Sequence, residues 1–254
     1  MASPAFIIAT VMGIAPALVG MYYILRRFSG GFEDQKLFIL FAAGLFLGIL
    51  SFTFHIFIDG VIFPPGAAGW LVYAIGFSLL DNIMMFVVIN FKWVRSTPGA
   101  PFYGISLGAG FAATSTMALV FRLLAAFPDI DALAAALLVM VSAAGVGAVM
   151  LRTSTGALLG IGSERGEPWP WFGRAIIAQV PFATLFMLLY YAGNYFDLLL
   201  SIPILVVLVG YCWWLLDHIR KRMLPQTLPG QLKRRIRRQT RDTIRGRRAG
   251  PPKI

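Results

Sequence analysis

The chain has 254 residues, 58% of them hydrophobic and only 13% charged, with a net charge of +11. A soluble domain is nearer half apolar and a quarter charged, so the composition excludes an ordinary water-soluble globular fold. The charge is not a property of the whole chain either: 13 of the 22 Lys and Arg fall at or after Arg220, leaving a nearly neutral body and a basic end.

The mean hydropathy of +0.77 comes from long uninterrupted apolar runs, which suit a hydrocarbon core about 30 Å thick. Seven such runs follow one another at 5–25, 37–58, 68–91, 101–124, 134–161, 171–192 and 197–218. The first begins at Ala5 with no Lys or Arg ahead of it. It therefore lacks the charged leader of a secretory signal and reads as a retained span. The expectation is an all-α, polytopic transmembrane helix bundle of about seven spans over 1–222, followed by a basic cytosolic tail over 223–254. Cys212 stands alone, so no intrachain disulfide and no Cys-based metal site is expected.

The connections between runs give an orientation. Arg26, Arg27 and Lys36 separate runs one and two, Lys92 and Arg95 runs three and four, Arg165 and Arg174 runs five and six. The alternate connections, 59–67, 125–133 and 193–196, carry no Lys or Arg. Basic loops stay on the cytosolic side, which predicts the N-terminus outside and the C-terminus inside. Seven spans with that topology invite comparison with retinal proteins, which require a lysine within the last helix. The five lysines, Lys36, Lys92, Lys221, Lys233 and Lys253, all lie in loops or the tail, and that reading fails.

Ionisable groups within a bilayer are costly and mark candidate functional positions. Asp81 lies in the third run, Arg152 in the fifth, Arg122 near the outer end of the fourth and His55 near that of the second. Asp217 and His218 sit at the cytosolic edge, within reach of water. At 1.5 Å per residue, Asp81 and Gln179 are each about 13 residues from the outer ends of their spans and Arg152 about 18 along a longer one. These positions share a level, so a buried Asp81–Arg152 pair with Gln179 nearby is one expectation. The other is an Arg152 that snorkels to the cytosolic face, leaving Asp81 neutral or hydrogen-bonded. Gly44 and Gly48, Gly104 and Gly108, and Gly156 and Gly160 repeat at a spacing that lets helices approach closely; packing is the expected use.

Runs three to six also resemble a known superfamily, the one joining PrsW-type glutamic intramembrane proteases to the APH scaffold subunit of gamma-secretase. Gly108-Ala109-Gly110-Phe111-Ala112-Ala113-Thr114-Ser115-Thr116 is similar to that family's Gly-x-Gly-Phe-Ala-Ala-x-Glu-Asn. Leu80-Asp81-Asn82-Ile83-Met84-Met85 falls where the family has Glu-Glu-x-x-Lys, and Arg152-Thr153-Ser154-Thr155-Gly156 with Gly160 follows the spacing of a His-x-x-x-small…Gly helix. Gln179 stands 27 residues beyond Arg152, at the place of a second His. Ala15-Pro16-Ala17 in the first run and the seven-span, N-out count are similar to the APH subunit. The resemblance covers nearly the whole body, 1–222.

The departures from the family pattern decide what the resemblance implies. Asp81 and Asn82 replace the paired glutamates, Met85 the lysine, Ser115 the third glutamate, and Arg152 and Gln179 the histidines. Peptide hydrolysis needs a base for water and an acid for the leaving amine, or a metal with several ligands. The resemblance with these replacements therefore implies a protease-like fold with a degenerate site: no assigned catalytic residue, no metal and no cofactor.

In the tail, Lys233, Arg234, Arg235, Arg237, Arg238, Arg241, Arg245, Arg247 and Arg248 face one Asp242, with Leu232, Ile236, Thr240 and Ile244 four residues apart. Such a segment is drawn to anionic lipids, by about 1 kcal/mol per basic residue near the surface; ribosomal or other RNA phosphate is the alternative partner, and a plain topology-fixing tail the third. No aromatic residue occurs in 223–254 for base stacking. The leading functional expectation is a non-catalytic scaffold that binds other transmembrane proteins in a prokaryotic plasma membrane. Its competitors are an active intramembrane peptidase using Asp81, a carrier with its site at the Asp81–Arg152–Gln179 level, and a ribosome- or lipid-tethered membrane-insertion factor acting through the tail.

Overall fold

The computed structural model describes residues 4–28, 30–59, 67–126, 132–195 and 198–227. Seven long helices carry the chain: α1 (Pro4–Leu25), α2 (Asp34–Asp59), α3 (Ala67–Ile89), α4 (Ala100–Ala126), α5 (Ala132–Arg165), α6 (Pro168–Tyr195) and α7 (Leu198–His218). No strand occurs among the described residues. In hydrocarbon every backbone N–H and C=O must be satisfied within the protein, and a helix does so within one segment. That is why the apolar runs become helices despite Pro16, Pro181 and Pro203 in their interiors.

Six of the helices are long and apolar enough to cross a membrane, and the chain is a multi-pass membrane bundle. The remaining helix, α3, has 23 residues. The helices outrun the apolar runs at several ends. α2 starts at Asp34 and α5 continues to Arg165, because the hydrogen-bond ladder does not stop where the hydrocarbon does. At 34 residues α5 is about 50 Å long, well beyond the thickness of a bilayer core. The last helix also outruns its run: beyond His218 it passes through one π-helical turn, Ile219–Met223, into a short α-helical end at Leu224–Thr227. The first residues assigned to the tail are thus helical; its basic residues from Lys233 onward lie outside the described residues.

The core is built around α4. In its membrane window 72% of the residues are buried, against 17–33% in the other five spans. It packs on α1, α2 and α5, while α5 also meets α6 and α7, and α3 lies mainly on α6. The small residues of α4 make this possible. At Gly104 an added Cβ would overlap the Gly156 carbonyl oxygen, and at Gly156 it would overlap that of Gly104, so α4 and α5 meet backbone to backbone. The Gly44–Gly48 pair does the same for α2 against Leu107 and Phe111. Hydroxyls tie the seam: Ser106 donates to the Leu37 carbonyl at 2.6 Å and Thr114 to that of Leu45 at 2.8 Å.

The ends are set by local chemistry. α5 closes on Gly166, whose φ of +73° suits glycine, while the Glu167 N–H returns to the Gly162 carbonyl at 3.0 Å. Pro168 then opens α6, a position where the missing N–H costs nothing.

These contacts make the packing glycines separable from the rest. Gly104→Ala and Gly156→Ala should each destabilise the bundle by about 1–3 kcal/mol through overpacking. Gly76→Ala and Gly210→Ala, where an added methyl meets nothing within 4 Å, should be neutral or favourable by up to about 1 kcal/mol. Unfolding titrations in mixed micelles measure the contrast.

Candidate functional site

α3, α5 and α6 bring Asp81, Asn82, Arg152 and Gln179 together inside the bundle, and α2 adds Ser51. The Arg152 guanidinium donates through Nη2 to Asp81 Oδ2 and through Nη1 to Gln179 Oε1, the latter at 3.2 Å. Ser51 donates to the other carboxylate oxygen, Oδ1, at 2.5 Å. The Asn82 amide donates to the Ser78 carbonyl at 2.8 Å and to Gln179 Oε1, while its own Oδ1 is buried with no hydrogen-bond partner among the described residues. Phe111 of α4 covers the cation, its ring centroid 4.9 Å from the guanidinium carbon.

Of the two sequence expectations for Arg152, the paired one holds. The Arg152 side chain is 13% exposed and that of Asp81 3%, so the arginine does not reach out of the bundle. Removing two charges from water costs several kcal/mol per ion, which only a close opposite charge with further hydrogen bonds offsets. Both conditions are met: the guanidinium has a carboxylate, an amide oxygen and an aromatic face, and the carboxylate has a hydroxyl and a guanidinium. Gly108 contributes from behind. An added Cβ there would overlap the Arg152 carbonyl oxygen, so the bare backbone of α4 lets α5 approach closely enough for Phe111 to cover the cation.

The remaining sequence candidates lie elsewhere in the packing. Met85 is fully buried in the hydrophobic core, and Ser115 turns its hydroxyl back to the Ala112 carbonyl at 3.2 Å. His55 stacks on Phe77 with ring centroids 3.6 Å apart. Asp217 accepts from Lys221 at 2.8 Å across one turn. Ser51 is the member of the cluster that sequence reasoning missed. It stands about 7 residues from the outer end of its run, whereas Asp81 stands about 13 from its own, so counting depth at 1.5 Å per residue passes over it. Helices of unequal length and tilt break that count.

Chemically the cluster holds one carboxylate, one guanidinium, two amides and a hydroxyl. Each carboxylate oxygen already accepts a hydrogen bond, and neither amide takes up or releases a proton near neutral pH. Among the described residues no three His, Cys, Asp or Glu gather in a way that could hold a metal ion. The arrangement can lock three helices in register and orient hydrogen bonds; it has no second acid or base. No family model matches the chain, and neither does a curated protein or a solved structure.

Asp81→Asn leaves the Arg152 cation without its counter-charge and should destabilise the protein by about 3–5 kcal/mol. Ser51→Ala removes one hydrogen bond from a carboxylate that keeps its arginine and should cost about 1.5–3 kcal/mol. Unfolding free energies of the purified variants in one detergent rank the two.

Proposed function

We propose that the protein is a non-catalytic membrane scaffold of the PrsW/APH kind, a bundle that holds other transmembrane helices and does not cleave them. The observation that carries this reading is the occupied carboxylate: both oxygens of Asp81 accept hydrogen bonds, one of them from an arginine. The positions that resemble the family's glutamates and histidines, Asp81, Asn82, Arg152 and Gln179, come together on three neighbouring helices, as a shared site ancestry requires. What fills them is a self-satisfied network without the acid–base pair that hydrolysis of a peptide bond demands.

The same reading orients the bundle with its N-terminus outside and the basic tail, 223–254, along the cytosolic leaflet of a prokaryotic plasma membrane. The topology supports it. With each helix counted as one crossing, the α1–α2, α3–α4 and α5–α6 connections and the end of α7 share a side, and all carry Lys or Arg, as cytosolic loops do. The tail's nine clustered Lys and Arg then face anionic lipid.

Two measurements test the proposal. Incubated with candidate membrane substrates, the wild type should give no product that disappears in Asp81→Ala, while gentle detergent extraction should co-purify at least one other transmembrane protein. Asp81-dependent cleavage would replace the scaffold with a peptidase. For orientation, a cysteine placed at Ala249 of intact cells should resist a membrane-impermeant maleimide until the cells are opened, with buried Cys212 as the silent background; labelling of intact cells would reverse the topology.

A further inference from the structure

At the end of the bundle where α1 and α7 finish, two arginines gather on one aromatic ring. The guanidinium carbon of Arg220 lies 3.9 Å from the centroid of Tyr23 and that of Arg26 5.4 Å from the same centroid. Trp213 stacks on Tyr23 as well, its ring centroid 6.2 Å away and its plane inclined by 30°. Two like charges on one ring repel each other. A tyrosine face attracts each of them weakly, but it carries no net charge to neutralise them.

No carboxylate among the described residues pairs with either arginine. Glu33 is taken by Lys36, Asp81 by Arg152 and Asp217 by Lys221. Arg220 Nε is moreover buried without a hydrogen-bond partner among the described residues, although a guanidinium carries five donors that normally find acceptors. The backbone supports the arrangement. In the π-helical turn the Leu224 N–H reaches back to the Ile219 carbonyl, which inserts one residue without ending the helix. Ile219 and Leu224 stay buried, Lys221 turns back to Asp217, and Arg220 faces α1. Such single π turns often occur at functional sites. A comparable pair, Arg165 and Arg174 on Trp171 at 5.0 and 4.3 Å, has Glu164 and Glu167 beside Arg165 in the chain; the Tyr23 pair has no such neighbours within three residues on α1 or at Arg220 other than the engaged Asp217.

We infer that Arg26 and Arg220, on the Tyr23 ring, form a site for the phosphate diester headgroup of an anionic phospholipid in the leaflet at this end of the bundle. The phosphate supplies the missing negative charge and the oxygen acceptors, since guanidinium–phosphate bonds are charge-assisted and match in geometry. Its acyl chains would lie against the exposed apolar surface below, where Val19 and Val206 are 67% and 65% exposed. The site belongs to the body of the protein and goes beyond both the scaffold reading and the basic tail.

The test uses the full chain in a nonionic detergent and reads thermal stability and retained lipid by native mass spectrometry. Phosphatidylglycerol, phosphatidylcholine with the same acyl chains, and inorganic phosphate are the added probes. Phosphatidylglycerol should stabilise the wild type more than phosphatidylcholine does. Arg26→Gln/Arg220→Gln should weaken that preference on the order of tenfold or more. Lys92→Gln/Arg95→Gln removes the same charge from exposed loop positions at the same end and should leave the preference intact. The single variants Arg26→Gln and Arg220→Gln, measured alongside, keep the comparison standing if the double variant fails to fold. An equal loss in the loop variant, or no loss in either arginine variant, overturns the site; an effect of inorganic phosphate as large as that of phosphatidylglycerol overturns its assignment to lipid.

Discussion

The structure depends on a charged guanidinium held inside a membrane bundle. Arg152 cannot be solvated by lipid tails, so it must be satisfied by protein, and its partners come from helices far apart in sequence: Asp81 on α3, Gln179 on α6 and the Phe111 ring on α4. Between apolar helices there is little hydrophobic force to choose one packing over another, because lipid is as apolar as leucine. Glycine-mediated backbone contact and this polar cluster supply the choice. Gly108 serves both, since its missing side chain brings α4 onto the Arg152 backbone while Phe111, less than a turn away, covers the charge.

A buried ion pair is weak evidence for stability, because well-packed apolar residues often do as well. Its better-attested use is specificity of register, and here it fixes α3, α5 and α6 against one another. α3 illustrates the need. It touches the rest of the bundle mainly through α6. Asp81 and Asn82 are what pin it to α5 and α6. Asp81, Asn82, Arg152 and Gln179 thus have a structural task sufficient to explain their burial.

The all-helical membrane fold and the candidate pair were legible in the sequence for simple reasons. Hydrocarbon thickness fixes run length, and charged residues in such runs are rare enough to single out Asp81 and Arg152. The three glycine pairs were legible as packing because small residues at helical spacing have few other uses. Ser51 was not, since a serine in an apolar helix can satisfy itself on its own backbone, and nothing in the sequence says that this one reaches Asp81 instead. The π turn at Ile219–Met223 was equally hidden. No residue pattern over 219–223 announces it, and the gathering of Arg26 and Arg220 on one ring is a tertiary contact that the sequence does not show.

The central claim is that Asp81 and Arg152 act as a coupled structural tie and not as separate reactive groups. It is tested most directly by a double-mutant cycle on unfolding free energy, with Asp81→Leu, Arg152→Met and the two combined. The account predicts that each single change is severely destabilising while the combination recovers most of the loss, because neither charge is left alone. Losses that simply add would contradict it.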